Sequence, residues 1–219
     1  IRKLVPYIDS FQVIGGATVP RRKNMSDSPK PILDERIKGR QGYGLIQLIH
    51  GHGKGKTTAA LGQAVRCAGA GKKVLIVYFD KGGTSHYSER CIIDQIAGID
   101  YVATGRDRID PITNRFDFSI NDLDKSEAER GIDLAKKAMM SGKYDLVILD
   151  EINSTQNLGM LSIDSVLDAL RSKGETVEVI LTGRNPAQEF LDAAHLVTEM
   201  QLQRHYFYSD VQAREGLDF

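Results

Sequence analysis

Short apolar runs recur along the chain from residue 45 onward. They read LIQLI, KVLIVYF, IDYVA, YDLVILD, VEVILTG and HLVTEM, and they begin at residues 45, 73, 99, 144, 177 and 195. β-branched residues are frequent in these runs, which is typical of strands buried on both faces of a parallel sheet. The pattern predicts a mostly parallel sheet built from these six segments.

Segments with helical spacing lie between the apolar runs. In KTTAALGQAVRCAGA, apolar residues fall at positions 60, 61, 64, 65 and 68. A second stripe comprises Ala128, Ile132, Ala135 and Met139. This second helix is predicted to stop at Gly142, and a third is predicted to follow Ser162 as its N-cap. Because strands alternate with helices, we expect right-handed crossovers and an α/β fold whose doubly wound sheet is flanked by helices.

Composition favours a globular protein without a nucleic-acid or membrane partner. The 219 residues include 29 basic and 29 acidic side chains, so the chain lacks the basic field that binding a polyanion normally needs. Every apolar run is shorter than the roughly 20 residues that span a bilayer. Cys67 and Cys91 belong to no CxxC or Cys/His cluster, which favours reduced thiols and a cytoplasmic location.

The beginning of the chain has neither helical nor strand periodicity. It contains IGGATVPRRK, and Met25 opens a second start-like sequence. We therefore expect residues 1–27 to form a leader that is mobile or lies upstream of the natural start. The nucleotide-binding catalytic domain is predicted to occupy residues 44–219.

A glycine-rich segment joins the first predicted strand to the first predicted helix. It comprises Gly51, His52, Gly53, Lys54, Gly55, Lys56, Thr57 and Thr58. The usual phosphate-binding loop is G-x-x-x-x-G-K-[ST], whereas only three residues separate Gly51 from Gly55 here. Such glycines let backbone N–H groups converge on phosphate beside a helix N-terminus, and Lys56 adds a charge. We expect all eight residues to bind a nucleotide in a P-loop NTPase-like (RecA-like) fold; the alternative is a glycine-rich turn without a ligand.

The run LVILDE places two carboxylates directly after a buried strand. Loops beyond the carboxyl ends of parallel strands are where ligands bind. Because oxygen ligands suit Mg²⁺, the predicted metal ligands are Thr57, Asp150 and Glu151. The alternative is an acidic pair that only begins a helix. These motifs indicate a nucleotide-binding P-loop protein, and they name no reaction.

Several segments, taken in order, resemble the P-loop type of ATP:corrinoid adenosyltransferase. They read GHGKGKTTAALGQAVRCAGAGKKVLIVYFDKG, YDLVILDEIN, VILTGRN, AAHLVTEM and RHYFYSDVQAREGLDF, and the resemblance covers most of residues 28–219. It implies transfer of the 5′-deoxyadenosyl group of ATP to the Co(I) centre of a corrinoid, with release of triphosphate, in adenosylcobalamin synthesis or salvage. In the family, the compressed loop is associated with ATP bound in the reverse of the usual orientation.

The resemblance also implies roles for individual residues. Lys56, Thr57 and Glu151, with Mg²⁺, are expected to stabilise the charge that grows on the leaving triphosphate. Arg184, in TGRN, is expected to bind the nucleotide, with a structural salt bridge as the alternative. Residues 28–43, which include ILDERIKGR, are expected to form an N-terminal helix or arm that can cover the site.

The predicted corrinoid contacts are Lys81, Arg106, Asp107, Arg108 and Asn153. Lys81 and Asn153 match family positions, and the alternatives are a solvated loop lysine and a helix-capping asparagine. The other three stand where family members carry an aromatic-rich stretch that packs against the corrinoid. Phe116 and Phe118, slightly downstream, are candidates to replace those aromatics.

The resemblance implies partners as well as substrates. It implies ATP and a corrinoid as substrates, a reductase or flavodoxin-like electron donor that makes Co(I), and a homodimer.

Two other functions remain open. One is a nucleotide- or corrinoid-binding relative without catalysis, and the other is an ordinary P-loop ATPase or small-molecule kinase.

Overall fold

The structure is a computed structural model, and it describes residues 32–83, 87–109 and 117–218. The predicted leader, residues 1–27, lies outside the described residues. The chain divides into two units, Ile1–Glu35 and Arg36–Phe219, and the second unit contains the sheet.

Within the described residues, six strands form one sheet. They are β1 (Ile46–His50), β2 (Val74–Tyr78), β3 (Ile99–Ala103), β4 (Leu146–Asp150), β5 (Glu178–Thr182) and β6 (Leu196–Glu199). Their order is β3-β2-β4-β5-β1-β6, and every pairing is parallel. The predicted parallel sheet is confirmed. Because all strands point the same way, the loops that follow them share one edge.

Six α-helices connect the strands in the described ranges. They are α1 (Lys56–Gly69), α2 (Arg90–Ile93), α3 (Asp122–Met140), α4 (Ile152–Asn157), α5 (Ile163–Arg171) and α6 (Gln188–Ala193). Two short 3₁₀ helices, Glu35–Ile37 and Tyr206–Ser209, lie before β1 and after β6. None of these helices combines the length and the apolar character needed to cross a membrane.

The helices predicted from sequence correspond to α1, α3 and α5. The predicted stripe of α3 is buried, and Ser162 caps α5 by accepting a hydrogen bond from the Ser165 amide. On α1 the buried stripe runs through Ala64 and Cys67 while Val65 is exposed, because 100° per residue carries Val65 away from the sheet. The pattern missed α2, α4 and α6, which are too short to show a helical period.

Apolar side chains pack on both faces of the sheet. Along β2, Leu75 and Val77 face the core shared with α3 and α5, whereas Val74 and Ile76 face the core shared with α1. This alternation follows from the two-residue period of a strand. Burial on both faces explains why the strand reads as one continuous apolar run. The predicted doubly wound α/β fold is therefore confirmed.

The segment before β1 contacts the amino ends of the neighbouring strands. Arg36 donates hydrogen bonds to the carbonyls of Asp192 and Ala194 at 2.6 and 2.9 Å. Arg40 donates to the carbonyl of Glu175 at 2.8 Å. These acceptors precede β6 and β5, whereas the glycine-rich loop follows the carboxyl end of β1. Covering of the site by residues 28–43 stays a prediction.

Candidate active site

The glycine-rich loop packs against the chain that leaves β6. Gly53 donates its amide N–H to the carbonyl of Met200 at 2.6 Å. A Cβ atom built on Gly51 or Gly53 would lie 2.5 or 2.6 Å from that same oxygen, closer than real Cβ atoms come. Both glycines are therefore required by backbone packing, which fixes the position of the loop.

The N-terminus of α1 emerges directly from this loop. Its first N–H groups have no intrahelical acceptor, and the helix dipole makes this end positive. The ammonium of Lys56 is buried and donates to the carbonyl of Gly53 at 2.9 Å. Burial is the main cause that lowers the pKa of Lys56. The loop thus gathers N–H groups and an ammonium at one point, which suits a phosphate group.

Asp150 anchors a polar network at the carboxyl end of β4. Its Oδ2 lies 2.5 Å from Nζ of Lys81 and accepts a hydrogen bond from the Thr57 hydroxyl at 3.3 Å. Its Oδ1 accepts a hydrogen bond from the Thr182 hydroxyl at 2.7 Å. Nζ of Lys81 also donates to Oγ1 of Thr57 at 3.2 Å. Burial alone would lower the pKa of Lys81, but Asp150 and Glu151 more than offset this effect, so its pKa is raised.

Glu151 is oriented by contacts from β5 and α4. Its amide donates to Oγ1 of Thr182 at 2.9 Å, and its Oε2 accepts from the Ser154 hydroxyl at 2.6 Å. Oγ of Ser154 in turn accepts from the Arg184 amide at 2.9 Å. Ser154 therefore couples the acidic side chain of Glu151 to the segment that carries Arg184.

Backbone strain is concentrated at the carboxyl edge of the sheet. Asp80, Glu151 and Asn185 have φ values of +52°, +64° and +49°. They follow β2, β4 and β5. This left-handed conformation is uncommon for residues other than glycine, and such outliers cluster at functional sites. The strain therefore supports placing the site at this edge.

Arg90 braces the segment that carries Lys81. Its guanidinium donates to the carbonyls of Lys81 and Gly83 at 2.6 and 2.8 Å. The guanidinium carbon also lies 3.8 Å from the centre of the Tyr87 ring. Arg90 is buried, so these contacts are shielded from water. The position of Lys81 thus depends on a residue that no sequence motif marks.

A cleft of about 840 Å³ opens at the carboxyl edge of the sheet. Of the predicted site residues, those lining it are residues 52–58, Lys81, Glu151 and Arg184. Asp150 is completely buried. The cleft therefore brings together every predicted nucleotide-binding residue except Gly51, and it adds Lys81 and Glu151, so that segments following β1, β2, β4 and β5 all contribute.

The tail segment, residues 200–218 after β6, also lines this cleft. Asp218 accepts hydrogen bonds from the Tyr206 hydroxyl and, at 3.0 Å, from the Arg214 amide. Nζ of Lys54 contacts Oδ1 of Asp218 at 2.5 Å and also the carbonyl of Leu217. The hydrogen bond from Lys54 is the main cause that holds the pKa of Asp218 well below its usual range. This tail segment is therefore fastened to the phosphate loop.

Arg106 and Arg108 form ion pairs within the chain. Arg106 contacts Asp117 at 2.7 Å and Asp124 at 2.9 Å. Arg108 contacts Asp80 at 2.6 Å and Asp124 at 3.4 Å. Asp124 also belongs to the capping box at the start of α3, so the arginines tie that helix to the end of β2. Neither arginine lines the cleft, and their corrinoid contact stays a prediction.

Asp107 and Asn153 also lie away from the lining of the cleft. Oδ1 of Asp107 accepts a hydrogen bond from the Ile109 amide at 3.0 Å, which closes a local turn. Asn153 is buried on α4, and within the described residues neither atom of its amide has a hydrogen-bond partner. Their corrinoid contacts likewise stay predictions, whereas Lys81 reaches both the cleft and Asp150.

Comparison with known proteins identifies the family. Residues 42–219 match the family "ATP:corrinoid adenosyltransferase BtuR/CobO/CobP". The chain belongs to this family. It is 30% identical over 202 residues to the corrinoid adenosyltransferase of Pseudomonas aeruginosa, which covers 91% of this chain and 96% of that protein.

Two further proteins are similar to this member of the adenosyltransferase family. The uncharacterized protein all2391 of Nostoc sp. is 38% identical over 189 residues, which is 80% of this chain and 48% of that protein. The chain thus spans about half the length of that relative. The flagellar accessory protein FlaH from Methanocaldococcus jannaschii has a TM-score of 0.48 and 16% identity, covering 76% of this chain and 75% of that chain. That structural likeness is too weak to bear on function.

Several residues of this adenosyltransferase-family site were not found from the sequence. Thr182 and Ser154 orient the two carboxylates, Arg90 holds the Lys81 segment, and Asp218 holds Lys54. For Thr182 a signal existed, because a polar residue ends an otherwise apolar run at the ligand edge. Asp218 lies 164 residues from Lys54, so no local pattern could reveal that contact. Ser154 and Arg90 act over only three and nine residues, but no motif marks either of them.

Proposed function

We propose that this protein transfers the 5′-deoxyadenosyl group of ATP to the Co(I) centre of a corrinoid. An electron pair of Co(I) forms the new bond to the 5′ carbon. The bond between that carbon and the triphosphate oxygen breaks, and its two electrons leave with the triphosphate. The observation that carries the proposal is the cationic phosphate cleft of an adenosyltransferase-family chain, in which Lys54, Lys56 and Arg184 lie together.

The arrangement is suited to a leaving triphosphate. Negative charge grows on the leaving group, and donors that are already oriented stabilise it without reorganisation. Lys56 is held by Gly53 inside the loop, and the N–H groups at the start of α1 point to the same place. Glu151 and Arg184, coupled through Ser154, line the same cleft as the loop residues.

We also propose that Thr57, Asp150 and Glu151 hold Mg²⁺ together with phosphate oxygens. A hydroxyl and two carboxylates fit the oxygen ligands that Mg²⁺ prefers. Mg²⁺ bound there supplies positive charge that neutralises the leaving group. Lys81 contacts the same oxygens of Thr57 and Asp150, so we expect its ammonium to exchange Asp150 for a phosphate oxygen in the loaded site.

An anaerobic turnover assay tests the proposal. The full chain is mixed with Mg-ATP and with cob(I)alamin or cob(I)inamide, and the adenosylated corrinoid and free triphosphate are quantified. We expect equal amounts of both products. Lys56→Ala should lower the rate about 10²- to 10³-fold, the usual effect of losing one oriented donor. Lys125→Ala, an exposed lysine on α3, is the matched control and should keep the wild-type rate.

The same assay separates the alternatives. Failure to form an adenosylated product from either corrinoid contradicts the proposal. Release of ADP and phosphate without corrinoid would indicate an ordinary P-loop ATPase or kinase. Tight binding of ATP without corrinoid-dependent release of triphosphate would indicate a relative that binds without catalysis.

The proposal extends to the electron donor, the oligomeric state and the cellular location. Co(I) must be made by an electron donor such as a reductase or a flavodoxin-like protein. We propose a homodimer on the basis of the family, and sedimentation velocity tests it. We propose a cytoplasmic location, which the free thiols of Cys67 and Cys91 support, because a reducing compartment keeps an exposed thiol such as that of Cys91 intact.

A further inference from the structure

The tail segment presents aromatic side chains to the cleft. Phe207 and Tyr208, in the 3₁₀ helix Tyr206–Ser209, are 62% and 77% exposed, and both line the cleft. Their ring centres lie 5.9 Å apart with the planes at 76°. A group of exposed large apolar side chains is uncommon on a protein surface and marks a ligand or partner site. Their position in a cleft that also contains the phosphate loop favours a ligand.

The helix that carries these two rings is tethered to Lys54 of the glycine-rich loop. Tyr206, the first residue of the same 3₁₀ helix, donates its hydroxyl to Asp218, and Asp218 pairs with Lys54. Nδ1 of His205 accepts from the Phe207 amide at 3.1 Å, which caps the start of the helix. The rings are thus held at a set position relative to the loop that binds phosphate.

The two sides of the cleft have different chemistry. The phosphate loop side is cationic and accounts for a nucleoside triphosphate. The tail segment contributes the apolar side chains Phe207, Tyr208, Leu202, Val211 and Leu217, beside the polar His205, Tyr206 and Asp218. The triphosphate and ribose of a nucleotide leave such apolar side chains unused. The tail side therefore fits a second ligand with a broad, flat and largely apolar face.

We propose that Phe207 and Tyr208 form the contact surface for the corrin macrocycle. This inference rests on the proposed adenosyl transfer, and it assigns the place where the second substrate binds. The segment from Arg106 to Arg108 is held in ion pairs outside the cleft. Phe118 is 84% exposed but does not line the cleft, and Phe116 lies outside the described residues.

Direct binding of a corrinoid that does not react tests the assignment. Cob(II)alamin is titrated anaerobically into the full chain with saturating Mg-ATP, and the Kd is read by equilibrium dialysis. The double variant Phe207→Ala/Tyr208→Ala should raise the corrinoid Kd about tenfold or more, while the Kd for ATP changes less than about twofold. The exchange variant Phe207→Tyr/Tyr208→Phe should retain binding. Met140→Ala, an exposed apolar residue outside the cleft, is the control.

Three outcomes overturn the inference. An unchanged corrinoid Kd in the double variant does so, and so does a weakened ATP Kd with unchanged corrinoid binding, which would assign the rings to adenine. Loss of corrinoid binding in Phe118→Ala but not in the double variant is the third. Wild-type turnover with any of these results leaves the proposed function standing, whereas absence of turnover in the wild type contradicts that function itself.

Discussion

Nζ of Lys81 lies 2.5 Å from Oδ2 of Asp150, whose side chain is completely buried. Removing one partner of a buried pair leaves an uncompensated charge and costs about 3–5 kcal/mol. We expect Lys81→Met to lower the free energy of unfolding by about that amount. Since we propose that Mg²⁺ binds Asp150, millimolar Mg²⁺ should recover part of the loss. Urea denaturation with and without Mg²⁺ measures both effects.

Lys143→Met is the matched control for this substitution. Lys143 lies 2.8 Å from Asp100, but both side chains of this pair are more than half exposed. Exposed pairs contribute about 0–1 kcal/mol, so the control should change stability little and show no response to Mg²⁺. Equal losses in the two variants, or a Lys81→Met variant that ignores Mg²⁺, would contradict the role given to Lys81.

As pH rises from neutral, the stability that the Lys81–Asp150 pair contributes should fall only at strongly alkaline pH. The pKa of Lys81 is raised in the folded protein above its ordinary value of 10.5. Its contribution to stability is therefore fully present below that ordinary value and is lost as pH rises through the folded pKa. The stability difference between wild type and Lys81→Met should be constant from neutral pH to about pH 9. A difference that declines across this range would show that the ammonium titrates earlier.

Thr182 is expected to position both carboxylates of the site. Thr182→Val keeps the shape but leaves Oδ1 of Asp150 and the amide of Glu151 without this hydroxyl, at a cost of about 2 kcal/mol. We expect lower kcat and a higher Mg²⁺ requirement, measured in the adenosylation assay. Thr182→Ser retains the hydroxyl and should recover both values. A valine variant with wild-type Mg²⁺ dependence would show that Thr182 only fills space.

The loop glycines offer a test of backbone packing. Gly53→Ala places a Cβ atom against the carbonyl of Met200, and we expect it to cost about 1–3 kcal/mol and to weaken ATP binding. Gly62→Ala, inside α1 with no atom within 4 Å of the new Cβ, should stabilise by up to about 1 kcal/mol. Thermal unfolding and ATP titration measure the two variants. Similar behaviour of both would contradict the packing argument.

Arg90 is predicted to position Lys81 without touching substrate. Arg90→Met removes both hydrogen bonds to the Lys81 segment, while Arg90→Lys keeps the charge with a single donor group. We expect a lower kcat in Arg90→Met with nearly unchanged KM for the corrinoid, and partial recovery in Arg90→Lys. A purely structural role would instead lower the melting temperature of both variants and leave kcat of the folded protein unchanged.

Local patterns determined much of this protein. Apolar runs marked the six parallel strands, and β2, β4 and β5 are buried at every position, which requires apolar residues along most of their length. The expected burial on both faces was wrong for β3 and β6, which are edge strands and are partly buried and exposed, respectively. The glycine-rich loop and LVILDE marked two loops at the carboxyl edge of the sheet, and the combined segments identified the adenosyltransferase family. These signals are short in sequence, so they could be read without the fold.

The tertiary structure decided which side chains meet. It alone paired Lys81 with Asp150, fastened Lys54 to Asp218, and directed Arg106 and Arg108 into ion pairs beside α3. Each contact joins segments that are far apart along the chain, and its geometry depends on strand order and loop packing. Strand order and loop packing depend on how side chains from the whole chain are buried together, so no local sequence pattern reveals these contacts.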